Sequence, residues 1–190
     1  SSAASDVYKR QKEMIIDAAF NITKEKGFSK LSNREIAKYL NCSIRPIYYQ
    51  FKDVEDLNKH LFKKVEEYFY NYLTSDIKYK DKVYLSTGIN YIKFAREENN
   101  LFKLMFMSDL SVTNFIKEEN QSFTEYSKIV VNKTNLDIKQ ANDFHFKMWI
   151  YTHGIACLCV TKTINFTDEE IKELLTNEFR ALMLIEKEGK

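Results

Sequence analysis

The sequence predicts an all-α fold of about nine helices, and three observations carry that expectation. One proline and four glycines in 190 residues leave little material for hairpin turns. Apolar residues recur at helical spacing through most segments. Two segments open on a capping box, Ser32 with Glu35 and Thr167 with Glu170. A composition of 44% hydrophobic and 29% charged residues is globular, and the length suits one or two small domains with a real core.

Taken in order, the first helix is expected over about 7–26, ended by Gly27, with residues 1–5 as a tail. Two short helices joined by a tight turn follow over 32–52. Asp53 is placed to cap a long helix over about 54–73, with Leu57, Leu61, Val65, Tyr68, Phe69 and Tyr72 along one side. Residues 76–81 read as a loop. A fifth helix over about 82–98 carries Val83, Leu85, Ile89, Ile92 and Phe94. Asn99-Asn100 is expected to break the chain before a short apolar helix over 101–107. Ser111 is placed to cap a helix over about 112–131, and 132–135 form a polar turn. The last two helices are the best marked. One spans about 138–161, with Ala141, His145, Met148, Trp149, Thr152, Ile155, Ala156 and Cys159 at helical spacing. The other opens at Thr167 and carries Ile171, Leu174, Leu175, Phe179, Leu182 and Ile185.

The pair over 32–52 is the most informative stretch. Ser32 is a good N-cap, and Ile36, Ala37 and Leu40 share one face of the helix it starts. Asn41 tolerates the left-handed conformation that ends a helix, Ser43 is placed to cap the next, and Pro46 sits in a first turn where a missing N–H does no harm. Ile47 and Phe51 then form a buried face, which leaves Arg45, Tyr48, Tyr49 and Lys52 to project outward. One Arg, one Lys and two Tyr suit a groove lined with phosphates, so the unit reads as a helix-turn-helix.

The run Ile36-Ala37, Cys42-Ser43, Ile47-Tyr48-Tyr49-Gln50-Phe51 and Glu55-Asp56-Leu57 is similar, without a gap, to the DNA-binding domain of the tetracycline-repressor (TetR) family. Upstream, Ile15, Ile16, Ala18, Ala19 and Phe20 through Gly27-Phe28 resemble the family's first helix and its closing glycine. Two positions depart from the pattern: Asn41 stands where the family usually has Gly, and Val54 where it usually has Lys, so Lys52 is left to supply that phosphate contact. The resemblance implies a DNA-binding domain over 1–53 and an effector-binding and dimerisation domain over 54–190. It also implies that the last two helices pair with those of a second subunit. Trp149, His153 and Gly154, with the upstream segment 101–106, resemble one C-terminal subtype marked by a Trp, a His and a Gly.

Charge distribution agrees with a DNA-binding N-terminal end. The formal net charge is +2, but residues 1–64 hold 13 Lys and Arg against 8 Asp and Glu, while residues 65–190 hold 16 against 19. Cys42, Cys157 and Cys159 are odd in number, and the last two point in different directions on a helix, so they read as reduced cysteines of a cytoplasmic protein. No apolar run is long enough to span a membrane, and no signal peptide is visible.

Arg45 opens the second helix, where its guanidinium can grip guanine bidentately. Ser32, Asn33, Ser43 and Lys52 are expected on phosphates, and the resemblance places Tyr48 and Tyr49 on the backbone, beside Pro46. The aromatic and Met-rich middle either lines a ligand cavity or fills the core; the candidates are Phe102, Met105, Phe106, Phe123, Tyr126, Met148, Trp149 and Thr152. Ile155, Ile171, Leu174, Leu175, Phe179 and Leu182 are the candidates for dimerisation. His145 and His153 lie eight residues apart, about two helical turns, with no further ligand at metal spacing; they read as hydrogen-bonded core histidines, and neither metal nor cofactor is expected.

The sequence thus predicts a cytoplasmic, bacterial-type transcription regulator, a homodimer on a palindromic operator in double-stranded DNA, acting as a repressor released by a small apolar or aromatic effector. Two other readings compete with it: a constitutive DNA-binding or adaptor protein of the same fold without an effector, and an enzyme using His145 or His153. The enzyme lacks a nucleophile elbow, a phosphate loop or a metal motif.

Overall fold

The computed structural model describes residues 2–80, 82–108 and 121–188. Among these are nine α-helices and no strand: α1 (Ser2–Lys26), α2 (Asn33–Tyr39), α3 (Arg45–Gln50), α4 (Val54–Thr74), α5 (Val83–Glu97), α6 (Asn99–Met107), α7 (Gln121–Lys133), α8 (Ile138–Val160) and α9 (Asp168–Glu188). A 3₁₀ turn at Phe28–Lys30 follows α1. The all-α expectation holds. Of the helix expected over 112–131, the part before 121 lies outside the described residues, as does its Ser111 cap. Among the described residues no helix is long and apolar enough to cross a membrane.

Two boundaries differ from expectation. Helix α1 begins at Ser2, where Ala3 and Ala4 favour helix over tail. The break between α5 and α6 falls at Glu98 (φ −109, ψ 44), not at Asn99-Asn100, which form the first turn of α6. Asn100 has a use there: its Nδ2 donates to the Lys24 carbonyl at 2.9 Å, near the end of α1.

The chain packs as two compact units. One is formed by the chain up to Asn71 together with the segment that starts at Glu98; the other by Tyr72–Glu97 and the C-terminal part. In the first unit, α1 buries Ile15, Ala18, Ala19 and Ile22, α2 buries Ile36 and Ala37, and α4 buries Leu57, Leu61, Val65 and Phe69. Gly27 closes α1 at φ +88, a conformation that L side chains rarely adopt. Beside it Lys24, Tyr68 and Glu98 form a closed triangle. Lys24 Nζ donates to Glu98 Oε1 at 2.7 Å and to Tyr68 Oη at 3.0 Å, and Tyr68 Oη donates to the same carboxylate oxygen at 2.8 Å. Partial burial works to lower the Lys24 pKa, but the hydrogen bonds to Glu98 and Tyr68 together with their charges hold it above its ordinary value. The triangle fixes α1 and α4 to the start of α6.

The second unit is a helical core of Val130, Leu136, Ala141, Phe144, Met148 and Leu182, with Tyr84 and Phe179 packed against it. Its entry is capped by a side chain: buried Asn90 of α5 donates to the carbonyls of Leu73 and Ser75, at 3.0 and 2.8 Å. Helix α8 starts on a complete capping box, Asp137 with Gln140, and α9 on the one expected, Thr167 with Glu170. Two rungs tie α5 to α8. Tyr84 Oη meets His145 Nδ1 at 2.7 Å, and Tyr91 Oη meets His153 Nδ1 at 2.8 Å. Tyrosines two turns apart on one helix thus meet histidines two turns apart on the other.

Burial pushes the His145 pKa from 6.5 down to about 4 and lowers that of His153. Between pH 6.5 and 4 the unfolded chain takes up a proton that folded His145 refuses. Its contribution is therefore complete above pH 6.5 and is lost as pH falls towards 4, by up to about 1.4 kcal/mol per pH unit. His145→Gln, which keeps an acceptor for Tyr84 but does not titrate, is expected to lose less stability than the wild type between pH 7 and 5 in denaturant melts. An identical loss would contradict a neutral buried His145.

Candidate nucleic-acid interface

The site is built on α2, α3 and the turn between them. Ser32 Oγ accepts from the Glu35 N–H at 3.1 Å, as the cap requires. The return half of the box is replaced, because the Glu35 carboxylate turns to Lys26 Nζ at 3.5 Å. Helix α2 ends in a Schellman motif: Asn41 N–H donates to the Lys38 carbonyl at 3.2 Å and Cys42 N–H to the Ala37 carbonyl at 3.0 Å. Asn41 takes φ +50, the left-handed conformation expected of it.

The second helix starts differently from expectation. Its N-cap is Ile44, and no side chain caps it, so Ser43 is exposed but does not cap. The tight Schellman turn delivers the chain already near helical geometry at Ile44 (φ −72, ψ −19), and Pro46 in the first turn leaves one fewer orphan N–H to satisfy. Ile47 and Phe51 are buried, as the spacing predicts, and Gln50 is buried with them. Its Nε2 donates to Gln11 Oε1 of α1 at 3.3 Å.

That inward face forces the other face out. Tyr48 is 64% and Tyr49 78% exposed, too much for residues serving a core. Arg45 and Lys52 are exposed beside them. Arg34, Lys38, Arg45 and Lys52 make no ion pair among the described residues. By contrast, Lys24, Lys26, Lys59 and Lys64 of the same unit each hold a carboxylate. Ser32 is exposed and Asn33 and Pro46 half-buried at the same edge. Asp53 Oδ1 accepts from the Asp56 N–H at 2.8 Å and starts α4 as expected, while Asp56 Oδ2 accepts from the Lys52 N–H at 3.1 Å. These bonds fix where Lys52 leaves the backbone. The arrangement is a rigid polar face with unneutralised cations, hydroxyls and amides, suited to phosphates and base edges.

One hydrogen bond has no signal in the sequence. Tyr8 Oη donates to the Tyr49 carbonyl at 3.1 Å, across 41 residues, and no periodicity pairs those positions.

The other predicted site residues fall in both units. Phe102 and Met105 are fully buried in the first, where Phe106 meets Phe69 and Phe102 at ring distances of 5.6 and 4.8 Å. Tyr126, Met148, Trp149 and Thr152 belong to the second, and the Phe123 side chain lies outside the described residues. Met148 and Thr152 are buried, Thr152 Oγ1 donating to the Met148 carbonyl at 2.8 Å. Trp149 stacks on His153 at 5.0 Å, and its buried indole N–H meets no acceptor among the described residues. Of the dimerisation candidates, Ile155, Ile171, Leu175 and Leu182 are buried within the chain, and Leu174 and Phe179 are half-buried. Leu175 packs so closely on α5 that a Cβ on Gly88 would lie 3.2 Å from it. A groove of about 400 Å³ between α1 and α4 is lined by Asp17, Phe20, Asn21, Lys64, Glu67, Tyr68 and Asn71, a polar set unlike the apolar lining expected for an effector. Among the described residues no group of three or more His, Cys, Asp or Glu is placed to hold a metal ion.

Residues 15–61 match the family model described as bacterial regulatory proteins, tetR family. Among solved structures, the chain is similar to a TetR-family transcriptional regulator from Haemophilus influenzae RD. The TM-score is 0.63, with 17% sequence identity over 95% of this chain and 98% of that one, a likeness of fold. No curated protein matches the sequence.

Proposed function

We propose that this chain, a DNA-binding transcription regulator whose residues 15–61 form a TetR-family helix-turn-helix, is a homodimeric repressor released from a palindromic operator by a small apolar or aromatic effector. The observation that carries the DNA-binding part is the outward face of α3, where two exposed tyrosines stand between Arg45 and Lys52, neither cation neutralised by a carboxylate. Arg45 reads a base edge, and Lys52, Ser32, Asn33, Ser43, Tyr48 and Tyr49 hold the backbone. No catalytic role is assigned, since His145 and His153 are engaged in the Tyr–His rungs. The protein works in the cytoplasm, where the DNA is.

The C-terminal unit is assigned to the Trp-His-Gly subtype on Trp149, His153 and Gly154. The stacked Trp149–His153 pair and the unmatched indole N–H support an effector that offers both aromatic surface and a hydrogen-bond acceptor. Such a ligand releases DNA only by binding the DNA-incompetent state better.

The dimer surface lies on the outer face of α8 and α9. Ile150 is 51% exposed and Leu184 and Ile185 are each 59% exposed, with half-buried Leu174 on the same helix as the last two. Gly154 is exposed within α8, where Gly costs about 1 kcal/mol relative to Ala, and an added Cβ would meet nothing within 4 Å. Close approach by a second helix accounts for that missing side chain.

Two experiments test these assignments. In DNA titrations, Arg45→Ala is expected to cost about 1–3 kcal/mol and relax preference at one base position, and Lys52→Ala to weaken all sequences alike and flatten the salt dependence. Unchanged affinity in both would remove α3 from the groove. The same assay with a panel of small aromatic compounds separates the effector reading from constitutive binding, which no compound would alter. In sedimentation, Leu184→Glu with Ile185→Glu is expected to give a folded monomer with weakened operator binding. A persistent dimer would place the interface elsewhere.

A further inference from the structure

Beside His153 on α8 stands a second ligand for a soft metal, the half-buried Cys157 one helical turn on. Its Sγ lies 3.4 Å from His153 Nε2. Zinc bonds a thiolate at about 2.3 Å and an imidazole at about 2.0–2.1 Å, so two such ligands on a tetrahedral ion stand about 3.6 Å apart. The pair is close to that separation before any metal arrives. Two further contacts set the imidazole: Trp149 stacks on its ring at 5.0 Å, and Tyr91 Oη meets Nδ1 at 2.8 Å. When Nδ1 donates to that phenol oxygen, the Nε2 lone pair is directed to the Cys157 side, as in metal-bound histidines. Burial lowers the His153 pKa, so the ring is neutral at pH 7, as a ligand must be. Burial also raises the Cys157 pKa, so the free thiol keeps its proton until a metal displaces it.

One chain supplies only these two ligands, too few for a closed site. Their position on α8 supplies the others. Ile150, Gly154 and Cys157 follow one another at spacings of four and three, the stripe along which helices pair. Ile150 is 51% exposed, and a Cβ added to exposed Gly154 would meet nothing within 4 Å. Helical rotation sets Cys157 between Gly154 on the outer side and His153 on the inner side. In a two-fold dimer such a stripe faces its own copy. We propose that His153 and Cys157, with the same two residues of a second copy, form a tetrahedral zinc site that staples α8 to its partner. Tyr91 is its positioning residue. This departs from the expectation that neither histidine has a ligand at metal spacing. The inference rests on the proposed dimer surface and goes beyond it to a metal.

The test titrates the reduced full chain with cobalt(II), whose thiolate charge-transfer band and tetrahedral ligand-field bands stand in for spectroscopically silent zinc. Both sets of bands are expected to rise together, saturate at one cobalt ion per dimer and bleach when zinc is added. Zinc is also expected to tighten the dimer in sedimentation. Cys157→Ser is expected to remove the charge-transfer band, and Cys159→Ser to keep it. Tyr91→Phe, which keeps the ring and removes the partner of Nδ1, is expected to weaken cobalt binding about 10–100-fold while leaving the spectrum at saturation unchanged. A wild-type dimer with no tetrahedral cobalt spectrum overturns this proposal and leaves the dimer surface standing. So does a spectrum that survives Cys157→Ser, which marks adventitious binding at other side chains. A wild-type chain that stays monomeric with and without metal overturns the dimer and the zinc site together.

Discussion

A helix of six residues has no stability of its own, and α3 exists only because the unit around it holds its inner face. Ile47, Gln50 and Phe51 are buried, Gln11 holds Gln50, and Lys12 and His60 pack on the Phe51 ring from α1 and α4. His60 is in turn bound to the Asp56 carbonyl at 2.8 Å. Everything the interface offers follows from that one-sided burial. With the inner positions committed, Arg45, Tyr48, Tyr49 and Lys52 have only solvent to face. The Schellman turn at Asn41 then sets the direction in which they face it.

The polar groups of the chain divide by use. Lys24, Lys64 and Arg96 each hold a carboxylate and pin helices together, and Tyr84, Tyr91, His145 and His153 link α5 to α8. The cations of α2 and α3 hold none, and leaving them unneutralised adds to the self-repulsion of the folded chain. A protein that bound nothing anionic would gain by pairing them. The unpaired cations of α2 and α3, standing beside the exposed Tyr48 and Tyr49, support the proposed DNA-facing role of this surface more than the modest net charge does.

Much of this was legible in the sequence, for local reasons. The caps at Ser32, Asp53 and Thr167, the left-handed Asn41, and the alternation of Ile47 and Phe51 with the exposed tyrosines are all decided by neighbours within four or five residues. What stayed hidden depends on partners far along the chain. The Tyr8–Tyr49 bond, the Lys24–Tyr68–Glu98 triangle and the Tyr–His rungs join positions 30 to 74 residues apart. The apolar stripe of α9 shows the same limit. Its period marks Ile171, Leu175 and Leu182 as buried, but not whether the burying surface belongs to the same chain, and here it does. Ser43 has the residue type of a cap, whereas the Schellman turn has already aligned the backbone at Ile44.

The central claim is that two copies of this interface read DNA together. Selection of bound duplexes from a random pool by the wild-type chain tests it most directly. The account predicts enrichment of an inverted repeat whose half-sites lie about one helical turn apart, roughly 34–36 Å, or a multiple of that, as paired recognition helices on a two-fold axis require. Recovery of an unenriched pool, or of a single motif with no repeat, would contradict it.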